Sequence, residues 1–168
     1  MPRRLPPVRR LALLAAGLAA AAAAACRELA FEPQDPRTVT YAPSLGINLA
    51  QFQSTTGGVL YRDLAVGSGA PVESTSTVGV IYKGYLTDGR IFDSSSTTAA
   101  VTFALAGTVP GFRNGLVGAR QGSRRVLIVP PSQGYGNRTT ENNRIPAGSV
   151  LVFDVNLTSV ITPVDTTS

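Results

Sequence analysis

Residues 82–95 read YKGYLTDGRIFDSS, and this stretch decides the fold. It divides into a strand, an Asp88-Gly89 pair that can supply the positive φ of a tight hairpin turn, and a second strand ending in Phe92-Asp93-Ser94-Ser95. Outward from this hairpin, strand signals recur at Val59–Leu64, Val78–Leu86, Arg124–Val129 and Val150–Val160, separated by clusters of Gly, Pro, Ser and Asn. The last of them alternates most clearly. Leu151, Phe153, Val155 and Leu157 fall on one face and Asp154 and Asn156 on the other, so one face is expected buried and one wet. Only one segment has a helical period: Phe112, Leu116 and Ala119 stand at i, i+4 and i+7 just after Pro110-Gly111. The expected fold class is therefore α+β, a curved antiparallel sheet with one short helix against it.

Composition narrows the chemistry. The chain of 168 residues has no histidine and one cysteine. Ser-His-Asp and Cys-His nucleophile systems, imidazole bases and multi-ligand Cys/His zinc sites are therefore excluded. No Gly-rich phosphate loop is present either, since Gly67-Ser68-Gly69 lacks the third glycine and the following helix of a dinucleotide fingerprint.

The basic charge is concentrated at one end. Arg3, Arg4, Arg9 and Arg10 precede a run from Leu11 to Ala25 made only of Leu, Ala and one Gly. As a helix this run would rise about 22 Å, short of the roughly 30 Å hydrocarbon core, so an export leader over residues 1–25 fits better than a permanent span. Ala23, Ala24 and Ala25 stand before Cys26, the only thiol, in an arrangement that resembles a bacterial lipobox with Cys26 as the lipidated N-terminus. Ordinary signal cleavage after an Ala-x-Ala site fits the same residues. Without the leader the chain is close to neutral and has no basic cluster, so nucleic acid is not an expected partner. Residues 26–56, with Pro33, Pro36 and Pro43, read as the anchored terminus and an extended linker; Leu45, Ile47 and Leu49 leave room for a short edge strand. Residues 162–168 read as a tail.

Three further segments stand beside the hairpin: VPGF at 109–112, VPPSQGYG at 129–136 and IPAGSVLVFDVNL at 145–157. Together with the hairpin, in this order and spacing, they resemble the FKBP family of macrolide-binding prolyl isomerases, over about residues 57–161. The resemblance implies a twisted antiparallel sheet wrapped around one short helix, with the active pocket between them. It implies an isomerase acting on X-Pro bonds; joined to the leader and the lipobox-like Cys26, the expectation is a monomer anchored to the membrane through Cys26 that acts on exported proteins in the periplasm or cell envelope. Macrolides are implied as possible inhibitors, and neither cofactor nor metal is implied. Its site residues fall on Tyr82, Phe92, Asp93, Tyr135 and Phe153 as the catalytic set, and on Val109, Phe112 and Ile145 as substrate-binding residues. Phe112 stands where most members have tryptophan, which implies a smaller apolar floor.

Read without the resemblance, the same residues have plainer roles. Tyr82 and Phe153 on alternating strands would be core, Asp93 before two serines would start a turn, and Tyr135 between Gly134 and Gly136 would be a loop aromatic. A binding module that holds proline segments without rotating them is the alternative function for the same fold.

Overall fold

The computed structural model describes residues 33–163. The leader and Cys26 lie outside the described residues. Seven strands, β1 (Gln53–Ser54), β2 (Leu60–Ala65), β3 (Thr77–Leu86), β4 (Ile91–Ser94), β5 (Val101–Ala104), β6 (Arg124–Val129) and β7 (Leu151–Ile161), form one sheet in the order β1-β2-β6-β7-β3-β4, with β5 also on β3. Every pairing is antiparallel. The two longest strands, β3 and β7, run side by side at the centre, and the outer edge of β3 is shared by two short strands. Its first half, Thr77–Val80, takes β5, and Lys83–Tyr85 takes β4.

The helix α1 (Pro110–Leu116) follows a 3-10 turn at Leu105–Gly107. Pro110 opens it, where the missing N–H costs nothing. Its two turns are as long as the periodicity predicts; Ala119, the third residue of that pattern, lies in the following turn but stays buried. Gly111 and Gly115 lie one turn apart and face β6. A Cβ on Gly111 would come within 2.2 Å of Val129 Cγ1, and one on Gly115 within 2.8 Å of Leu127 Cδ2. These two bare positions let the helix backbone sit close against the sheet.

The main core fills the space between helix and sheet, and it takes the expected face of β7, Leu151, Phe153, Val155 and Leu157. The opposite face departs from expectation. Residues 33–56, read from sequence as an extended linker, lie against the sheet: Val39, Tyr41, Leu45, Ile47, Leu49 and Phe52 cover a second cluster of Leu60, Ile128, Val150 and Val152. The cause is that these apolar side chains gain burial the sheet face offers, and the chain follows in 3-10 turns at Pro43–Leu45 and Leu49–Gln51 where a strand was allowed for. Backbone and side-chain bonds pin this strap: Ala42 N–H to the Thr87 carbonyl at 2.8 Å, and Val150 N–H to Gln34 Oε1 at 3.1 Å. β1 then adds the edge strand a few residues later.

An ion pair between β2 and β6 also reaches the helix. The Arg125 guanidinium, on β6 and almost fully buried, donates to Asp63 Oδ1 at 2.7 Å and Oδ2 at 2.8 Å. Its third nitrogen donates to the Gly115 carbonyl at 2.9 Å, satisfying an open carbonyl at the end of α1. The plane also covers the Tyr61 ring at 4.5 Å.

Candidate functional site

The Asp88-Gly89 turn forms as read, with Gly89 at φ 87° and Leu86 N–H bonded to the Arg90 carbonyl at 2.9 Å. Beyond it the hairpin register slips. Tyr85 pairs with Ile91 and Gly84 with Asp93, so Phe92 is an extra residue with no partner on β3. In a regular strand neighbouring side chains point to opposite faces, but a bulge breaks that alternation. Phe92 and Asp93, adjacent in sequence, consequently line the same cavity. The Phe92 ring lies across Gly84, where a Cβ would fall 2.6 Å from its Cζ. The tyrosine-x-glycine spacing of the hairpin is thus a packing requirement.

The cavity holds about 180 Å³ between α1 and the concave sheet face. Tyr82 from β3, Phe112 from α1 and Phe153 from β7 form its floor and walls with Phe92, and each is no more than 8% exposed. Their rings meet edge to face: Phe92 with Phe153 at 5.5 Å, Phe153 with Phe112 at 5.3 Å, Phe112 with Tyr82 at 6.4 Å. Such T-shaped pairs hold each ring's position through its neighbour. Val109, just ahead of α1, completes the apolar wall.

Polar groups occupy the rim. Tyr82 donates its hydroxyl to Asp93 Oδ2 at 2.5 Å, and the Ser94 N–H donates to Asp93 Oδ1 at 2.9 Å. One Asp93 oxygen thus holds the Tyr82 hydroxyl and the other its own following backbone, as the turn reading of Asp93 expects. Burial, reinforced by the bond to Asp93, pushes the Tyr82 hydroxyl well above the ordinary tyrosine range. Ser95 fixes the backbone at this point, its Oγ accepting the Tyr82 N–H at 2.9 Å. Tyr135 stands on the loop after the 3-10 turn Pro131–Gln133, 40% exposed, on the cavity wall. Partial burial, then the charge of Asp93, raises its pKa. Among the described residues nothing accepts its hydroxyl hydrogen, which leaves the donor available to a ligand.

Seven of the eight pocket residues named from sequence are thus brought to one cavity. Ile145 is buried in the core cluster beside it and does not line it. Two lining residues were missed, Phe103 on β5 and Thr108 before α1. Phe103 contacts Tyr82 at 5.7 Å and Phe112 at 6.1 Å, closing the ring of aromatics. The signal for it was present in the alternation of Val101, Phe103 and Leu105. Among the described residues no group of three or more His, Cys, Asp or Glu could hold a metal ion.

Comparison with known proteins agrees with this geometry. A family model described as FKBP-type peptidyl-prolyl cis-trans isomerase matches residues 69–158. Similar curated proteins include FK506-binding protein 3 of Candida albicans, 38% identical over 106 residues, and the FKBP-type peptidyl-prolyl cis-trans isomerase FkpA of Escherichia coli, 37% identical over 109 residues. These alignments take in 62% and 64% of this chain but only 24% and 40% of the relatives, so it spans less than half the length of either. Among solved structures, a peptidyl-prolyl cis-trans isomerase of Pseudomonas syringae matches with a TM-score of 0.62 at 29% identity, over 67% of this chain and 82% of that one. FkpA of Escherichia coli matches with a TM-score of 0.62 at 34% identity, over 70% of this chain and 55% of that one.

Proposed function

Because the chain belongs to the FKBP-type peptidyl-prolyl cis-trans isomerase family, we propose that it rotates X-Pro bonds of peptide segments in the cavity between α1 and the sheet. The observation that carries the reading is an aromatic cavity of one-ring size with hydrogen-bonding groups at its rim. Pockets for drug-sized ligands run to about 300–1,000 Å³. A cavity of about 180 Å³ suits a single side-chain ring.

The mechanism follows from what holds the bond planar. Amide resonance sets a barrier of about 18–20 kcal/mol, and crossing it neither makes nor breaks a covalent bond. In the twisted state the nitrogen lone pair leaves conjugation and the carbonyl loses charge separation. An apolar cavity disfavours the charge-separated planar amide more than the twisted one, so it lowers the barrier by differential binding. Phe92, Val109, Phe112 and Phe153 supply that environment around the proline ring, with Phe103 closing it and Ile145 backing the core beside it. The Tyr135 hydroxyl donates to a carbonyl of the peptide. Asp93, held by Tyr82, orients the chain at the rim. No step transfers a proton to the reacting bond, which suits a chain without histidine. FK506-binding proteins among the relatives make a macrolide the natural competitor to test.

The test is the cis-to-trans rate of a short X-Pro peptide with the full chain in mild detergent. Acceleration that macrolide suppresses supports the reading. Binding of the peptide without acceleration would identify a proline-binding module instead.

The place of action is proposed from the leader alone: export, followed by lipidation of Cys26 and anchoring of a monomer to the cell envelope, where unfolded exported chains are the substrates. A Cys26→Ser chain is expected to leave the detergent phase in phase partitioning. Equal partitioning of the two forms would refute the anchor.

A further inference from the structure

We propose that the substrate cleft continues past Phe92 and Asp93 into a second groove, where Arg90 and Arg144 select a carboxylate side chain flanking the proline. The groove holds about 350 Å³ and is lined by Arg90, Ile91, Phe92, Asp93, Ser94 and Arg144. It shares Phe92 and Asp93 with the aromatic cavity, so a peptide whose proline ring fills the cavity can run on into it. The inference rests on that reading of the cavity.

The charges in the groove are unequally engaged. Both oxygens of Asp93 are occupied, one by the Tyr82 hydroxyl and one by the Ser94 N–H. Among the described residues Arg90 forms one ion pair, with Asp88 at 3.9 Å and both side chains more than half exposed, which is beyond hydrogen-bonding distance. Arg144 enters none of the ion pairs formed among the described residues. Two arginines therefore line a groove that holds one carboxylate, so the lining carries an excess of positive charge. Each presents a planar fork of donors that matches a carboxylate. Ile91, half exposed in the same groove, gives the methylenes of a glutamate an apolar surface to lie on. The tight turn places Arg90 directly ahead of the bulge that turns Phe92 and Asp93 into the cavity, and this links the groove to the hairpin.

The test uses the full chain and X-Pro peptides carrying Glu, Gln or Lys at each of two positions on either side of the proline, at low ionic strength. At one position or more the ratio of kcat/KM for Glu over Gln is expected to reach about three- to tenfold, the scale of one or two partly exposed ion pairs. Lys should fall below Gln. The ratio should shrink toward one in about 0.5 M salt, where screening is strong. In Arg90→Gln/Arg144→Gln the ratio within that variant should approach one, a comparison that cancels any change in overall turnover. A ratio of one at every position in the parent, or an undiminished ratio in the double variant, would overturn the proposal. Should no peptide be turned over, the isomerase reading fails, and the Glu/Gln ratio is read from peptide affinities by calorimetric titration. A retained affinity ratio, lost in the double variant, upholds the groove, and its absence overturns it.

Discussion

Replacing Gly84 with alanine should disable the cavity from a position that does not line it. A Cβ at residue 84 would stand 2.6 Å from Cζ, 2.8 Å from Cε2 and 3.2 Å from Cε1 of Phe92, so the ring cannot stay where it is. It cannot tilt freely either, because it packs edge-on against Phe153 at 5.5 Å and belongs to a bulge with no register to spare. Inserting atoms into a packed core costs about 1–3 kcal/mol, and alanine recovers about 0.5–1 kcal/mol of the backbone entropy that glycine loses in a strand. The net expectation is destabilisation by about 0.5–2 kcal/mol, with a larger proportional loss of kcat/KM than of folded protein. Gly79 in the same strand is the control: a Cβ there meets chiefly the Ser159 hydroxyl, which can rotate away. Urea denaturation gives the stability term and the X-Pro peptide assay the activity. In Gly84→Ala/Phe92→Leu the smaller side chain should relieve the clash, so the double variant is more stable than the two single losses sum to. A Gly84→Ala protein with parental midpoint and turnover would refute the packing argument and the place of Phe92 in the site.

Tyr135→Phe removes only an exposed hydroxyl, so the melting temperature should hold while kcat/KM falls about three- to tenfold, the worth of one hydrogen bond; unchanged kinetics would remove Tyr135 from the mechanism. Arg125→Met leaves Asp63 unpaired and the end of α1 uncapped. Its cost should be about 3 kcal/mol by urea denaturation, the low end for a broken buried pair because the Asp63 side chain is 27% exposed. A chain starting at Gly57 uncovers Leu60, Ile128, Val150 and Val152, each worth up to about 1.5–3 kcal/mol of burial, and should show a lowered denaturation midpoint with bound hydrophobic dye. A parental midpoint would mean that residues 33–56 are a dispensable linker. Burial holds the Tyr41 and Tyr82 hydroxyls protonated to higher pH in the folded chain than in the unfolded one. Their contribution is therefore constant below about pH 9 and lost as pH rises beyond about 10, so thermal melts should show a one-sided alkaline decline, with kcat/KM flat from about pH 6 to 8. A bell-shaped rate profile in that range, with the fold intact, would indicate proton transfer.

What could be read from sequence was set by how local each cause is. β6 spans Arg124–Val129 as read and stops ahead of Pro130, and α1 starts where Pro110 allows it. The strap at 33–56 escaped because the two-residue spacing of Val39, Tyr41, Leu45, Ile47 and Leu49 is interrupted by Pro43 and runs through 3-10 turns where that spacing signals a strand. They are ordered by the sheet beneath them and not by their own backbone. Phe103 escaped for a related reason. It reaches the cavity because Val78 pairs with Phe103 across β3 and β5, a register that nothing in the polar stretch between β4 and β5 announces.

The bulge at Phe92 shows why periodicity alone would have misplaced the site. Period-two alternation assigns Phe92 and Asp93 to opposite faces, one to core and one to solvent. The extra residue cancels one step of that alternation and turns both toward the cavity. Gly84 is then the only residue type that β3 can offer beneath the ring, and Tyr82 lies at the right distance to hold the Asp93 carboxylate. Gly84, Phe92, Asp93 and Tyr82 of the hairpin pattern are thus explained by one local distortion. A pattern of residue types captured it because packing at the bulge restricts several positions at once, whereas hydrophobicity constrains each position singly. The two grooves differ in how their side chains are held. Along the aromatic cavity the rings are fixed by neighbours on five elements, β3, β4, β5, α1 and β7, so substitutions there should couple strongly. Among the described residues Arg90 and Arg144 make no side-chain hydrogen bond, so charge changes at those two positions should alter which peptides are preferred while leaving the packing of Phe92, Phe112 and Phe153 as it is.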